Sequence, residues 1–173
     1  MNNWLESNQL SDASARIEAL DPYQSFIVSA PAGSGKTGLI TQRMLKLLAI
    51  AENPEEILCI TFTRKAAAEM RQRIFGALVN AQDRPKPNNN FELQTWELAQ
   101  QVLKRNSLKD WNLLDIPYRL RIKTIDSFCH YVAKQFMFDS GTGELPEQSE
   151  FPEGFYQIAA RELLDQLEKN NST

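Results

Sequence analysis

The chain has 173 residues, of which 42% are apolar and 24% charged, and its net charge is −3. These values suit one globular domain with its own core, and they exclude a chain that is basic throughout. No apolar run reaches the roughly 18 residues of a membrane span, and the polar N-terminus differs from a signal peptide. We therefore expect a cytoplasmic location, no membrane partner, and reduced thiols at Cys59 and Cys129.

The first third of the chain predicts a helix, a strand and a second helix. Residues 11–20 form a short helical pattern, which Asp21-Pro22 ends. The apolar run at residues 26–30 predicts a short buried strand. From residue 38 to about residue 51, apolar residues recur with helical spacing.

The turn between this strand and this helix reads Ala-Pro-Ala-Gly-Ser-Gly-Lys-Thr, residues 30–37. A strand, a glycine-containing turn and a helix, in that order, are the context of a phosphate-binding loop. Backbone N–H groups and the positive end of the helix converge there on one point, where a polyphosphate binds. Lys36 can reach the β- and γ-phosphates, and the Thr37 hydroxyl can ligate Mg²⁺. The alternative is a surface turn with a stray lysine, since alanine stands where the strict pattern has glycine.

Two further strands are predicted, and each ends where a helix begins. Residues 57–62 are apolar without alternation, as in a strand covered on both faces of a parallel sheet. Residues 63–74 favour a helix, with Thr63 placed as its cap. Residues 119–125 and 126–136 repeat that order less strongly. Helices that join parallel strands place the strand ends along one edge of the sheet, where ligands bind.

The residues that follow these two strands suit a nucleic-acid backbone. Hydroxyls and helix N–H groups bind phosphates, and Phe62 could offer its ring to a base. The alternative is an ordinary capped helix, with Phe62 in the core and with Arg64 and Lys65 in solvent. After the third strand we expect Asp126 to cap the helix.

The rest of the chain predicts mainly helices. Residues 83–90 read as an exposed loop, and residues 91–106 and 107–115 as two helices. Glycines and prolines within residues 139–154 indicate a domain boundary, and residues 155–169 an amphipathic helix.

Three motifs, at residues 30–37, 61–74 and 124–136, together closely resemble the start of superfamily 1 DNA helicases of the UvrD/Rep type. The most specific piece is Thr-Phe-Thr-Arg-Lys-Ala-Ala-Ala-Glu-Met-Arg-Gln-Arg-Ile, and Thr-Ile-Asp-Ser-Phe-Cys resembles the next family motif. The form of the motifs is similar to the AddA and RecB branch, helicase-nucleases that process double-strand breaks. The resemblance covers about residues 15–138. It implies part of an α/β, RecA-like domain of the P-loop NTPase class, with three layers, a parallel sheet and helical insertions.

The resemblance also implies roles for matching residues and a division of the chain. ATP phosphates and Mg²⁺ would bind at Ala32, Gly33, Ser34, Gly35, Lys36 and Thr37, with Lys36 and Thr37 in catalytic roles and Thr37 on the metal. Single-stranded DNA would contact Phe62, Thr63, Lys65, Thr124, Ser127 and Phe128. Gln24 is a candidate for the family's adenine-reading glutamine, although it lies closer to Lys36 than that residue usually does. Residues 1–138 would be the N-terminal part of the RecA-like domain, and residues 139–173 the start of a helical insertion.

One element of an ATPase is missing from the sequence. Hydrolysis requires carboxylates that hold Mg²⁺ and align water, and no apolar run after Lys36 ends in Asp-Glu. We therefore expect the N-terminal piece of a longer ATP-dependent 3′–5′ DNA helicase that acts in recombination or break repair. Alone, this piece should be inactive as an ATPase. In the longer protein, a second helicase-nuclease subunit is a candidate partner.

Two other functions stay open at this point. The chain could belong to a different phosphate-loop enzyme, such as a small nucleotide kinase, although the arginine lid and acceptor site of that class are not evident. It could also be a non-catalytic module that binds nucleotide or DNA.

Overall fold

Helices make up most of the computed structural model, which describes residues 13–135 and 153–171. The chain divides into two compact units, Met1–Cys129 and His130–Thr173. The predicted domain boundary after residue 138 lies outside the described residues and stays a prediction. No helix in the described part combines the length and the apolar character that crossing a membrane requires.

The elements follow one another in an alternating order. The first unit contains α1 at residues 13–18, α2 (Lys36–Leu48), β1 (Leu58–Thr61), α3 (Arg64–Asp83), α4 (Asn90–Leu108), β2 (Arg121–Thr124) and the start of α5 (Ile125–Gln135). Single turns of 3₁₀ helix, Pro54–Glu56 and Pro117–Arg119, precede the two strands. The second unit contains α6 (Glu153–Asn171).

The two strands pair in parallel, with Cys59 beside Ile122 and Thr61 beside Thr124. The predicted parallel pair joined through helices is therefore confirmed. The expected cover on both faces of β1 is wrong, because the Leu58 and Ile60 side chains are exposed. A helix follows within three residues of each strand end, so Thr61 and Thr124 mark the same edge of the sheet. Cys59 and Cys129 are both free cysteines, and burial raises the pKa of the Cys59 thiol.

The predicted buried strand at residues 26–30 is wrong. None of these residues belongs to a strand, and the Ile27 side chain is 100% exposed. A strand requires a neighbour for its backbone N–H and C=O groups, and each described strand pairs only with the other. An apolar run is thus not sufficient for a strand where no partner strand lies beside it.

The predicted helix at residues 107–115 is also wrong. Helix α4 ends at Leu108, and the chain then turns with positive φ angles of 50° at Asp110 and 54° at Asn112. These turns direct Trp111 and Leu113 inward, where each is only 1% exposed. Burial of two large apolar side chains outweighs the helical spacing of this short segment.

The core of the first unit lies among α2, α3 and α4. Helix α3 contributes a stripe spaced by four residues, Met70, Ile74 and Leu78. Facing it are apolar residues of α2 and α4, which include Leu45, Leu48 and Val102. The polar side chain of Gln42 is buried here as well. It donates to the Phe91 carbonyl at 3.2 Å and to Thr95 Oγ1 at 2.9 Å, so its burial is compensated.

Ion pairs surround the turn that connects α2 to β1. The Glu52 carboxylate contacts Lys109 and, at 2.7 Å, Arg105, and hydrogen bonding from Lys109 lowers the pKa of Glu52. Arg119 donates to both oxygens of Glu55, at 2.6 and 3.1 Å, and thereby lowers the pKa of Glu55. Each pair joins residues more than fifty positions apart, so the turn is tied to the distant segment 105–119.

Candidate nucleotide and nucleic-acid site

The glycine-rich turn ends directly on α2, whose first residue is Lys36. Gly33 and Gly35 have φ angles of 79° and 82°, in the left-handed region that favours glycine. Gly35 is the N-cap residue, and no side chain caps this helix end. The N–H groups of the first turn therefore lack side-chain partners at the end of the helix that attracts anions.

Two polar side chains of the turn fit a bound polyphosphate. Lys36 Nζ donates to the carbonyl oxygen of Ala30 and, at 2.7 Å, to that of Pro31, so its charge lies against the turn. Within the described residues, Ser34 Oγ is the buried side-chain oxygen or nitrogen that lacks a hydrogen-bond partner. A buried hydroxyl normally has a partner, and a ligand oxygen would supply one.

Sequence reasoning missed two arginines that hold this region. Arg16 donates to the Ser34 carbonyl at 2.7 Å and so braces the turn from α1. Arg43 donates to three backbone carbonyls within residues 19–24. Arg43 lies seven residues after Lys36, which is two turns along one face of α2, and this spacing was the available signal.

Gln24 lies exposed in the turn that precedes residues 26–30. Its side-chain amide donates to Asp21 Oδ2 at 2.8 Å, and Asp21 Oδ1 accepts from the Tyr23 N–H at 3.0 Å. The side chain is therefore oriented by a local turn. Its role toward adenine stays a prediction.

The ends of β1 and β2 form the second candidate region, and a threonine caps each following helix. Thr63 Oγ1 accepts from the Ala66 N–H at 3.1 Å, and Thr124 Oγ1 accepts from the Ser127 N–H at 3.2 Å. The prediction that Asp126 caps α5 is wrong. Thr124 takes that role because it lies directly before the helix, whereas Asp126 lies within the first turn.

The side chains around these caps are mainly exposed. Phe62 is 85% exposed, so the alternative that placed it in the core is wrong. Lys65 and Ser127 are exposed and Phe128 is half-buried. Because Thr61 pairs with Thr124, the two segments begin side by side at one edge of the sheet. Their contacts with DNA stay predictions.

Comparisons with known proteins agree on one family. The model of the UvrD/REP helicase N-terminal domain matches residues 11–172. Subunits of ATP-dependent helicase/nucleases, of the AddA type by name, are similar to the chain. That of Clostridium botulinum is 34% identical over 113 residues, 64% of this chain and 8% of that protein. That of Moorella thermoacetica is 36% identical over 117 residues, 66% of this chain and 7% of that protein. The chain thus spans less than a tenth of the length of these curated relatives. No solved structure matches it.

Proposed function

Because the chain belongs to the UvrD/REP helicase N-terminal domain family, we propose that it is the nucleotide- and single-stranded-DNA-binding part of an ATP-dependent DNA helicase. Its resemblance to the AddA and RecB branch supports a role in recombination or double-strand break repair. The same resemblance supports pairing with a second helicase-nuclease subunit. We also propose that the protein is located in the cytoplasm.

One arrangement carries the proposal: an uncapped N-terminus of α2 that follows two glycines in the left-handed region, with Lys36 as the first helical residue. Successive N–H groups at such a helix end bind phosphate oxygens. Bound ATP would supply the free energy of hydrolysis to the helicase. Lys36 would hold the β- and γ-phosphate oxygens, Ser34 would gain a partner for its buried hydroxyl, and the Thr37 hydroxyl would ligate Mg²⁺.

Lys36 can exchange partners when a nucleotide binds. Its ammonium group now donates to two neutral carbonyls, those of Ala30 and Pro31. A phosphate oxygen carries a negative charge that a carbonyl oxygen lacks, so its hydrogen bond with the ammonium gains an additional Coulomb attraction. Phosphate oxygens would therefore displace the carbonyls, and the side chain would move only within the turn.

The strand ends provide groups for a nucleic-acid strand. The Phe62 ring is open to solvent and suits base stacking, which contributes about 1–3 kcal/mol per base. The Oγ1 atoms of Thr63 and Thr124 each accept a hydrogen bond from a backbone N–H group of the following helix. Each hydroxyl keeps its own O–H group, which can donate a hydrogen bond to a phosphate oxygen. Lys65 adds a positive charge in the first turn of α3.

ATP hydrolysis also requires carboxylates that hold Mg²⁺ and align the attacking water. No cluster of three or more His, Cys, Asp or Glu side chains that could hold a metal ion occurs within residues 13–135 and 153–171. A Mg²⁺ ion at Thr37 would take phosphate oxygens and water among its remaining ligands. We propose that the 173-residue chain alone binds ATP without turning it over.

Equilibrium binding of a fluorescent ATP analogue with Mg²⁺ tests this proposal. We expect Lys36→Ala to weaken binding about tenfold or more, because it removes charge-assisted hydrogen bonds to phosphate. Lys46→Ala, in the last turn of the same helix, is the matched control and should bind as the wild type does. Equal affinity of the wild type and Lys36→Ala would contradict the nucleotide site. Magnesium-dependent ATPase activity that Lys36→Ala abolishes would contradict the claim that the chain alone is inactive.

A further inference from the structure

Arg16 of α1 contacts the peptide group that joins Ser34 to Gly35. Its Nη2 atom donates to the Ser34 carbonyl oxygen at 2.7 Å. Its Nη1 atom lies 3.5 Å from the point where a Cβ atom on Gly35 would stand, so the guanidinium lies against that glycine. One half-buried side chain therefore holds, from outside the turn, a peptide group of the proposed phosphate-binding site.

The orientation of this peptide group determines what its N–H can bind. A trans peptide group is planar, with its C=O and N–H on opposite sides, so a Ser34 carbonyl that faces Arg16 turns the Gly35 N–H away from α1. The preceding N–H, that of Ser34, already donates to the Pro31 carbonyl at 3.3 Å. In the described part of the chain no backbone carbonyl accepts from the Gly35 N–H, which leaves it for a ligand beside the first N–H groups of α2.

The turn does not fix this orientation by itself. The φ angle of Gly35 is 82°, and glycine adopts positive and negative φ angles about equally well. Rotation of a peptide group changes ψ of the residue before it and φ of the residue after it, as between type I and type II turns. A glycine at the second position leaves this rotation sterically open. A hydrogen bond from a charged guanidinium to the Ser34 carbonyl favours one of the two orientations.

Helix α1 presents Arg16 from a fixed position. Ala19 and Leu20, about one turn further along the chain, are each only 7% exposed. Arg43 of α2 donates to the Ala19 carbonyl, so the end of α1 is also bonded to the helix that follows the turn. The guanidinium is therefore held on the same packed unit as the peptide group that it contacts.

We propose that Arg16 is a positioning residue that holds the Gly35 N–H toward the phosphate oxygens of a bound nucleotide. Arg16 does not contact the nucleotide in this proposal. Groups that are already oriented bind more tightly, because the cost of ordering them is not paid on binding. The inference rests on the proposed nucleotide site and adds the side chain that orients one of its backbone donors.

Binding of inorganic tripolyphosphate and of the fluorescent ATP analogue to the 173-residue chain tests the effect on affinity. We expect Arg16→Ala to weaken both ligands about tenfold, the size of one hydrogen bond from a charged group. Methylguanidinium, which fits the space left by the truncated side chain, should restore part of this loss. Arg73→Ala, at an exposed position of α3, is the matched control and should bind as the wild type does, with or without methylguanidinium.

Nuclear magnetic resonance of the ¹⁵N-labelled chain tests the orientation itself. In the wild type, tripolyphosphate should move the Gly35 amide proton downfield by more than the Ser34 amide proton, which is already hydrogen-bonded. In ligand-free Arg16→Ala, the Gly35 signal should broaden or double, because the peptide group exchanges between two orientations. A general loss of packing would instead change signals throughout α1 and α2.

Each result decides the proposal. Equal affinity of the wild type and Arg16→Ala would overturn it. A loss of affinity with an unchanged Gly35 signal would also overturn it, because Arg16 would then act through its charge alone. If Arg16→Ala does not fold, the wild-type titration decides, and a Gly35 amide that does not shift overturns the proposal.

The same titrations separate this inference from the proposed function. If the wild type shows no nucleotide binding that depends on Lys36, the proposed function fails first. If binding depends on Lys36 but not on Arg16, only the role of Arg16 fails.

Discussion

The two ends of α2 are held in different ways. In the turn that follows its C-terminal end, Arg105 donates to the Ala51 carbonyl at 2.9 Å, and the buried Trp111 donates to the Glu52 carbonyl at 3.2 Å. At its N-terminal end no side chain caps the helix, and Lys36 donates to carbonyls of the adjoining turn. We call the C-terminal end of α2 the closed end, because distant side chains bind the carbonyls that follow it. We call the N-terminal end the open end, because no side chain caps its N–H groups.

This difference indicates that one end of α2 contributes to stability and the other to ligand binding. A closed end gains stability from burial and from bonds to distant residues. An open end keeps N–H groups for a ligand, since groups already bonded within the protein cannot bind one at the same time. We therefore expect substitutions at the closed end to change the free energy of unfolding, and substitutions at the open end and the adjacent sheet edge to change binding.

Trp111→Ala should have the largest effect. The side chain is 1% exposed, and truncation of a buried Trp costs about 3–5 kcal/mol of unfolding free energy. Urea unfolding followed by circular dichroism measures this loss. Trp111→Phe is the control, because it keeps most of the packing and removes the N–H that binds the Glu52 carbonyl. A loss below about 1 kcal/mol in Trp111→Ala, the size of an average substitution, would contradict the assignment of stability to the closed end.

Phe62→Ala should produce the opposite result. Loss of a stacking ring weakens binding to a single-stranded oligonucleotide by about 1–3 kcal/mol, while the free energy of unfolding changes by less than about 0.5 kcal/mol, because the ring is 85% exposed. Fluorescence anisotropy measures the first quantity and urea unfolding the second. Tyr118→Ala, at another exposed aromatic residue of the same unit, is the matched control.

The outcome for Phe62 also separates the candidate functions. Loss of DNA binding in Phe62→Ala but not in Tyr118→Ala would support a helicase over a nucleotide kinase. Equal binding of all three proteins would contradict the proposed DNA contact. A large loss of stability in Phe62→Ala would contradict the division between the two ends.

Local sequence patterns were sufficient to predict the features that depend on interactions between residues close in the sequence. The glycines at 33 and 35 predicted the turn, because only that residue type adopts their φ angles readily. The threonine before α3 predicted its cap, and the apolar run before it predicted β1. Parallel pairing followed from strands that alternate with helices.

Long-range partners account for what the sequence did not reveal. The run at residues 26–30 has strand composition, yet a strand depends on a neighbour that composition does not specify. Arg43 binds carbonyls of residues that precede it by 19 to 24 positions. Trp111 breaks a helical pattern because it packs into the core. The candidate site residues follow local motifs, whereas the bonds of Arg43 to residues 19–24 do not.

Acid should lower the free energy of unfolding by less than Trp111→Ala does. Hydrogen bonding from Arg119 lowers the pKa of Glu55 below its ordinary value of 4.5. A carboxyl group whose pKa is lower in the folded state stabilises the protein above its unfolded pKa, and this contribution disappears as the pH falls through the folded value. The pKa of Glu52 is lowered in the same way by Lys109, but the Glu52 side chain is more exposed than that of Glu55, so that pair contributes less.

Glu55→Gln isolates this contribution from general acid unfolding. At neutral pH the variant should be less stable than the wild type, because Arg119 loses a charged partner that is only partly exposed. As the pH falls below about 4.5, the wild-type carboxyl group becomes neutral as well, so the two urea midpoints should converge. A difference that stays constant over this range would mean that the amide disturbs packing, and that the charge of Glu55 does not hold the closed end.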